Sequence, residues 1–222
     1  MRWLESSAPN ANPHKMNLTR LGWRFDCLSR SLQLLAYHAF TKRREDPGHF
    51  QSAMTLVIVR LLDEWAMKCR SIVLVSASGK AHTSSGPFLM KSPLLQRGEA
   101  PIEALRRKWS PKKPMGHSWE PRWHDAAEAI RAASILSIGN EVTLTNALGA
   151  GLGSEQLRVV RNAVVHSLPK AQIEFRKFLA LEGLPLTLKP YQVGFEICSS
   201  SSVCYLDLWA SELRSILYAA TS

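Results

Sequence analysis

Residues Ser154 to Pro169 read S-E-Q-L-R-V-V-R-N-A-V-V-H-S-L-P. Ser154 is a residue type that caps helix N-termini, and Glu155 with Gln156 suits a first turn. Pro169 disfavours helical geometry at Leu168, so a helix of about three turns is predicted to close near His166. At roughly 100° per residue, Leu157, Val159, Val160, Ala163 and Val164 form one apolar arc, which must pack on something. Glu155, Arg158, Asn162 and His166 gather on the opposite face, with Asn162 and His166 as i, i+4 neighbours. Arg161 falls between Leu157 and Val165, on the flank of the packing surface. A guanidinium that is half taken from water requires an anion or hydrogen-bond acceptors, which its stem can reach at the Asn162/His166 edge or on a second molecule packed against the same helix; the alternative is a surface helix whose Asn162 and His166 hydrogen-bond locally.

Arg161-Asn162-Ala163-Val164-Val165-His166 resembles the R-N-x-x-x-H signature of the HEPN superfamily, helical domains many of which are metal-independent ribonucleases of toxin–antitoxin and phage-defence systems. Other Arg/His pairs at similar spacing, Arg43 or Arg44 with His49, straddle the Pro47-Gly48 turn. The resemblance implies cleavage of RNA by attack of the ribose 2′-hydroxyl on the adjacent phosphate, leaving a 2′,3′-cyclic phosphate and a 5′-hydroxyl end. In that reading Arg161, Asn162 and His166 are catalytic. His166 is the acid/base, Arg161 holds the scissile phosphate, and Asn162 orients His166 or the phosphate. No cofactor and no metal are implied. The resemblance also implies a homodimer in which two Arg/His sets face one cleft, and it admits an antitoxin or defence-system protein as a partner.

Composition points the same way. Two hundred and twenty-two residues, 45% hydrophobic and 21% charged, suffice for a real core in one large domain, so wholesale disorder is excluded. A formal net charge of +10 favours a polyanion, RNA or DNA, over acidic proteins or membrane surfaces. Cys27, Cys69, Cys198 and Cys204 show no C-x-x-C and no zinc-like spacing to His, so free core thiols are expected. No signal-peptide pattern and no apolar run of eighteen residues is present, which predicts a cytoplasmic protein without membrane spans.

Along the chain, residues 1–16 read as a loose lead-in. Leu21, Phe25, Leu28, Leu32, Leu35 and Ala39 repeat at helical spacing, predicting a helix to about Lys42. Asp46-Pro47 starts a second, long helix reaching the mid-seventies, apolar on more than one face and therefore central to a bundle. Residues 76–100 are Ser-, Gly- and Pro-rich and read as a long loop. A short helix from Pro101 to about Trp109 precedes a basic, tryptophan-bearing strip. Lys112, Lys113, Trp119, Arg122 and Trp123, together with Arg158 on the motif helix, are the candidate RNA-binding residues, since basic groups hold phosphates and exposed indoles stack on bases; the alternative is that the tryptophans are core anchors for a loop folded back on the bundle.

Pro121 suits the first turn of a helix to about Ser137, on which His124 and Glu128 are i, i+4 partners. A brief helix through Val142 to Leu148 leads to Gly149-Ala150-Gly151-Leu152-Gly153, either a flexible connector or a phosphate cradle. Beyond Pro169, a helix ends near Gly183, Leu186 to Ile197 alternates like an extended arm, and Tyr205 to Leu217 forms a last amphipathic helix. The predicted fold class is all-α: a single HEPN-like helical bundle over 1–222, with room for a small β excursion near the C-terminus. The rival reading keeps the fold and the charge but not turnover: a catalytically inactive RNA- or nucleotide-binding, or partner-binding, subunit of a defence or toxin–antitoxin complex.

Overall fold

A computed structural model of the protein describes residues 16–83, 89–109, 120–149 and 151–221. The chain is mostly helical. Helix α1 covers Thr19–Thr41 and α2 covers Pro47–Ala77. The start of α2 follows from its sequence: Asp46 accepts the backbone N–H of His49 at 2.8 Å, and Pro47 occupies a first-turn position where no N–H is needed. Apolar on several faces, α2 becomes the central element. Phe50, Val57, Ile58, Leu61, Leu62, Trp65, Ile72 and Val73 are all buried against α1 and the helices that follow.

Helices α3 (Pro101–Trp109), α4 (Ala126–Leu136), α5 (Glu141–Gly149), α6 (Gly153–Val165), α7 (Pro169–Leu181) and α8 (Tyr205–Thr221) complete the bundle. Two boundaries differ from the sequence reading. Helix α4 begins after Asp125, whose carboxylate accepts the N–H groups of Ala127 and Glu128, so a side-chain cap displaces the start from Pro121. Helix α6 begins at Gly153 and Ser154 is buried inside it, without a capping role.

The alternating Leu186 to Ile197 segment is no strand. Pro190–Phe195 forms a short 3-10 helix, in which Gln192 accepts the Lys189 N–H at 2.9 Å. The alternation serves aromatic packing instead: Phe195 stacks on Phe40 at 4.1 Å between centroids, and Tyr191 meets Phe50 edge-on at 6.0 Å. The only extended pairing left near the C-terminus, among the described residues, is a single bridge between Ile197 and Cys204. A two-stranded parallel sheet appears elsewhere, between β1 (Met16–Asn17) and β2 (Ala81–His82). The segment after α2 is thereby pinned: Leu18 donates to the His82 carbonyl, and buried Ser92 hydrogen-bonds the Leu136 carbonyl.

Gly151 before α6 and Gly153 at its start serve close packing. A Cβ on Gly151 would come within 2.2 Å of Ile216, and one on Gly153 within 2.5 Å of a Glu212 oxygen. Glu212 accepts the Leu152 N–H at 2.7 Å, so the α5–α6 turn is tied to α8, and a carboxylate lies where an anion cradle would need space. Among the described residues, no helix is long and apolar enough to cross a membrane.

Candidate active site

Burial orients α6. Leu157, Val160 and Ala163 are buried, which at about 1.5–3 kcal/mol for a fully buried Leu or Val fixes the helix rotationally. A polar clamp adds direction. Gln156 accepts the Trp209 indole N–H at 3.0 Å and donates to Glu182 at 2.9 Å, and Glu182 also accepts the Tyr205 hydroxyl at 2.7 Å. Burial and this bond to Glu182 push the Tyr205 hydroxyl far above the ordinary tyrosine range, so it remains a donor.

At the other end, α6 closes at His166, whose extended backbone follows from Pro169 three residues on and whose N–H still reaches the Asn162 carbonyl at 2.8 Å. Gln172, on α7, donates to the carbonyls of Ala163 at 3.1 Å and His166 at 3.3 Å. Free carbonyls at a helix C-terminus need such donors, and here the donor also fixes the backbone that carries the imidazole.

Arg161, Asn162 and His166 come together. One terminal nitrogen of Arg161 lies 3.4 Å from Asn162 Oδ1 and 3.4 Å from His166 Nε2. A guanidinium only donates, so in this contact Nε2 can serve only as the acceptor. The other terminal nitrogen lies 4.0 Å from Asp63 of α2, and Nε is buried with no hydrogen-bond partner among the described residues. Among the described residues Arg161, with a side chain 27% exposed, thus has two long hydrogen bonds from one terminal nitrogen and one loose ion contact from the other, and its Nε–H is unused. A cation so weakly satisfied retains capacity for an anion. Asp63 is 98 positions away in sequence (161 minus 63) and had no motif to announce it, although a carboxylate inside the apolar run of α2 was a signal.

The remaining candidates are placed differently. Arg158 makes a two-point ion pair with Glu155, at 2.5 and 2.8 Å, and lies 3.8 Å from Glu174. Arg122 pairs with Glu128 at 2.6 Å and with Asp125 at 3.2 Å. Trp123 is 7% exposed, its indole donating to Glu120 at 3.1 Å, so it is a core anchor and offers no face to a base. Glu120 in turn binds Arg70 at 2.7 Å and Arg106 at 3.2 Å. Lys112, Lys113 and Trp119 lie outside the described residues. His124 is half-buried and does not pair with Glu128, which Arg122 takes. Burial holds the His124 imidazole below the ordinary histidine range; Arg158, Arg122 and Arg161 act in the same direction and Asp125 against it.

Between α2 and α6 lies an open groove of about 540 Å³ lined by Gln51, Ser52, Thr55, Leu56, Val59 and Val164. Leu56 and the neighbouring Val165 are exposed. Among the described residues, no three His, Cys, Asp or Glu side chains form a set that could hold a metal ion.

No family model, curated protein or solved structure matches the chain. Function therefore rests on the residues themselves.

Proposed function

We propose that the protein is a metal-independent endoribonuclease of the HEPN type, acting as a toxin or anti-phage effector. The observation that carries this reading is the contact between the under-used Arg161 guanidinium and His166 Nε2 at the open end of α6. The reaction needs a fixed positive charge at the phosphate and a group that exchanges protons near neutral pH, and this pair supplies both. A phosphate taking the place of Asp63 on Arg161 brings its 2′-hydroxyl neighbour toward His166. With Arg161 drawn onto the phosphate, Nε2 is freed and accepts the hydroxyl proton as the 2′-oxygen attacks phosphorus, the bond to the 5′-oxygen breaks, and that oxygen takes a proton from water to leave as a hydroxyl. Asn162 keeps the guanidinium beside the imidazole.

The working form is a homodimer. Leu56, Val59, Val164 and Val165 border the motif helix with apolar surface that a second copy can cover, bringing a second Arg161/His166 pair near the first. The attack step is tested with a short RNA carrying one 2′-deoxy nucleotide at a mapped cleavage position. The substituted bond is expected to stay intact while flanking bonds are cut. Cutting at the substituted bond contradicts 2′-hydroxyl attack.

A further inference from the structure

Arg158 on α6 and Arg122 before α4, two of the cations that the sequence nominated, are occupied by carboxylates, which leaves open what holds the rest of an RNA strand. Helix α7 is polarised in a way that answers this. Its buried side consists of Ala171, Phe175, Phe178 and Leu179. The acidic residues at and beside it turn toward protein partners: Glu174 toward Arg158, and Glu182 onto Gln156 and Tyr205. Its basic residues, Lys170, Arg176 and Lys177, are exposed, and none forms an ion pair among the described residues.

Lys170 and Lys177 stand on one ridge, two turns and about 10 Å apart along the axis. The ridge is joined to the candidate site by structure as well as by sequence. Only Ser167, Leu168 and Pro169 separate His166 from Lys170, and Gln172 binds the His166 carbonyl from the same helix.

We infer that the outward face of α7, through Lys170, Lys177 and the flanking Arg176, is the track for the RNA phosphate backbone on one side of the scissile bond. This rests on the ribonuclease reading and extends it by naming the surface that holds the polyanion. Unpaired surface cations are the groups that release counter-ions when phosphates replace water around them, whereas cations already neutralised by carboxylates contribute little.

The test is binding of a fluorescently labelled single-stranded 2′-deoxy oligonucleotide, which has no 2′-hydroxyl to react, across a series of KCl concentrations. For two phosphate contacts on a single strand, Lys170→Ala/Lys177→Ala is expected to make the negative slope of log K against log[KCl] shallower by about 1.4. Arg20→Ala/Arg24→Ala, the same loss of charge on exposed positions of α1, is expected to leave the slope near the wild-type value. Equal slopes for the α7 variant and the wild type, equal effects of the two double variants, or no oligonucleotide binding by the wild type at low salt each overturn the inference. All four positions are exposed, and helical circular dichroism verifies that each variant is folded. Cleavage of RNA is read separately. Failure to cut contradicts the nuclease reading without altering the salt slope, and an unchanged slope in a protein that still cuts RNA rejects only the α7 track.

Discussion

Asp63→Asn isolates the competition for Arg161. The two groups lie 4.0 Å apart with side chains 27% and 49% exposed. At that separation the Coulomb energy is about 1 kcal/mol in bulk water and about 4 kcal/mol at an effective dielectric of 20. The exposure of both partners places the pair near the aqueous limit, where ion pairs contribute about 0.2–1 kcal/mol. A phosphate that displaces Asp63 must overcome this amount, and the amide removes the charge with almost no change of shape. Asp63→Asn is therefore expected to lower KM for a short RNA roughly 1.5- to 5-fold, with kcat within about twofold, since 1.4 kcal/mol is a factor of ten. The measurement is steady-state cleavage of one labelled oligonucleotide at fixed ionic strength, with urea denaturation as a control for stability. The same substitution in an Arg161→Ala background should have no effect on binding, because its partner is gone. A raised KM, or a kcat reduced tenfold with KM unchanged, refutes the competition and makes Asp63 a residue that holds Arg161 in place.

Three further expectations follow from the same geometry. Gln172→Ala removes two hydrogen bonds to the end of α6, one part-buried to Ala163 and one exposed to His166. It is expected to cost about 1–2 kcal/mol of stability, a fall of roughly 2–8 °C in Tm, and to reduce kcat more than it changes KM because the His166 backbone is freed. His124 is shifted downward from 6.5 in the folded protein, so the unfolded chain takes up its proton first as pH falls. The stability this residue contributes is fully present above pH 6.5 and lost below it, and His124→Gln should flatten the wild-type decline in urea midpoint between pH 6.5 and 5.5. Leu56→Glu places a charge in the groove beside α6 and is expected to halve the mass measured by sedimentation and to depress cleavage; an unchanged mass argues against a dimer through this face.

Much of the bundle was legible because helix signals are local. The i, i+3, i+4 seam of α1, the Asp46-Pro47 start of α2 and the stop imposed by Pro169 each act within one or two turns, and each stands where periodicity put it. Local rules failed where distant partners decided the outcome. Alternation in Tyr191, Val193 and Phe195 looked like a strand until Phe40 and Phe50 supplied the aromatic surface that a 3-10 turn can meet. The glycine-rich run into α6 looked like a connector, but the missing Cβ of Gly151 and Gly153 admits Ile216 and Glu212 of α8. At the candidate site, Arg161, Asn162 and His166 were readable from one helix, whereas Asp63 and Gln172 come from α2 and α7 and no single-helix pattern reveals them. The sequence also could not separate free cations from paired ones: Arg158 and Arg122 count as positive in any tally, yet Glu155 and Glu128 hold them.

The central claim is that Arg161 and His166 together cut RNA. Purified wild-type protein, Arg161→Ala and His166→Ala are each incubated with a mixed pool of transfer and messenger RNA in EDTA, and the ends of the products are determined. The expected result is cutting by the wild type to 2′,3′-cyclic phosphate and 5′-hydroxyl ends, with activity lost in both variants while their folds persist. RNA left intact by the wild type, or cut equally well by His166→Ala, contradicts it.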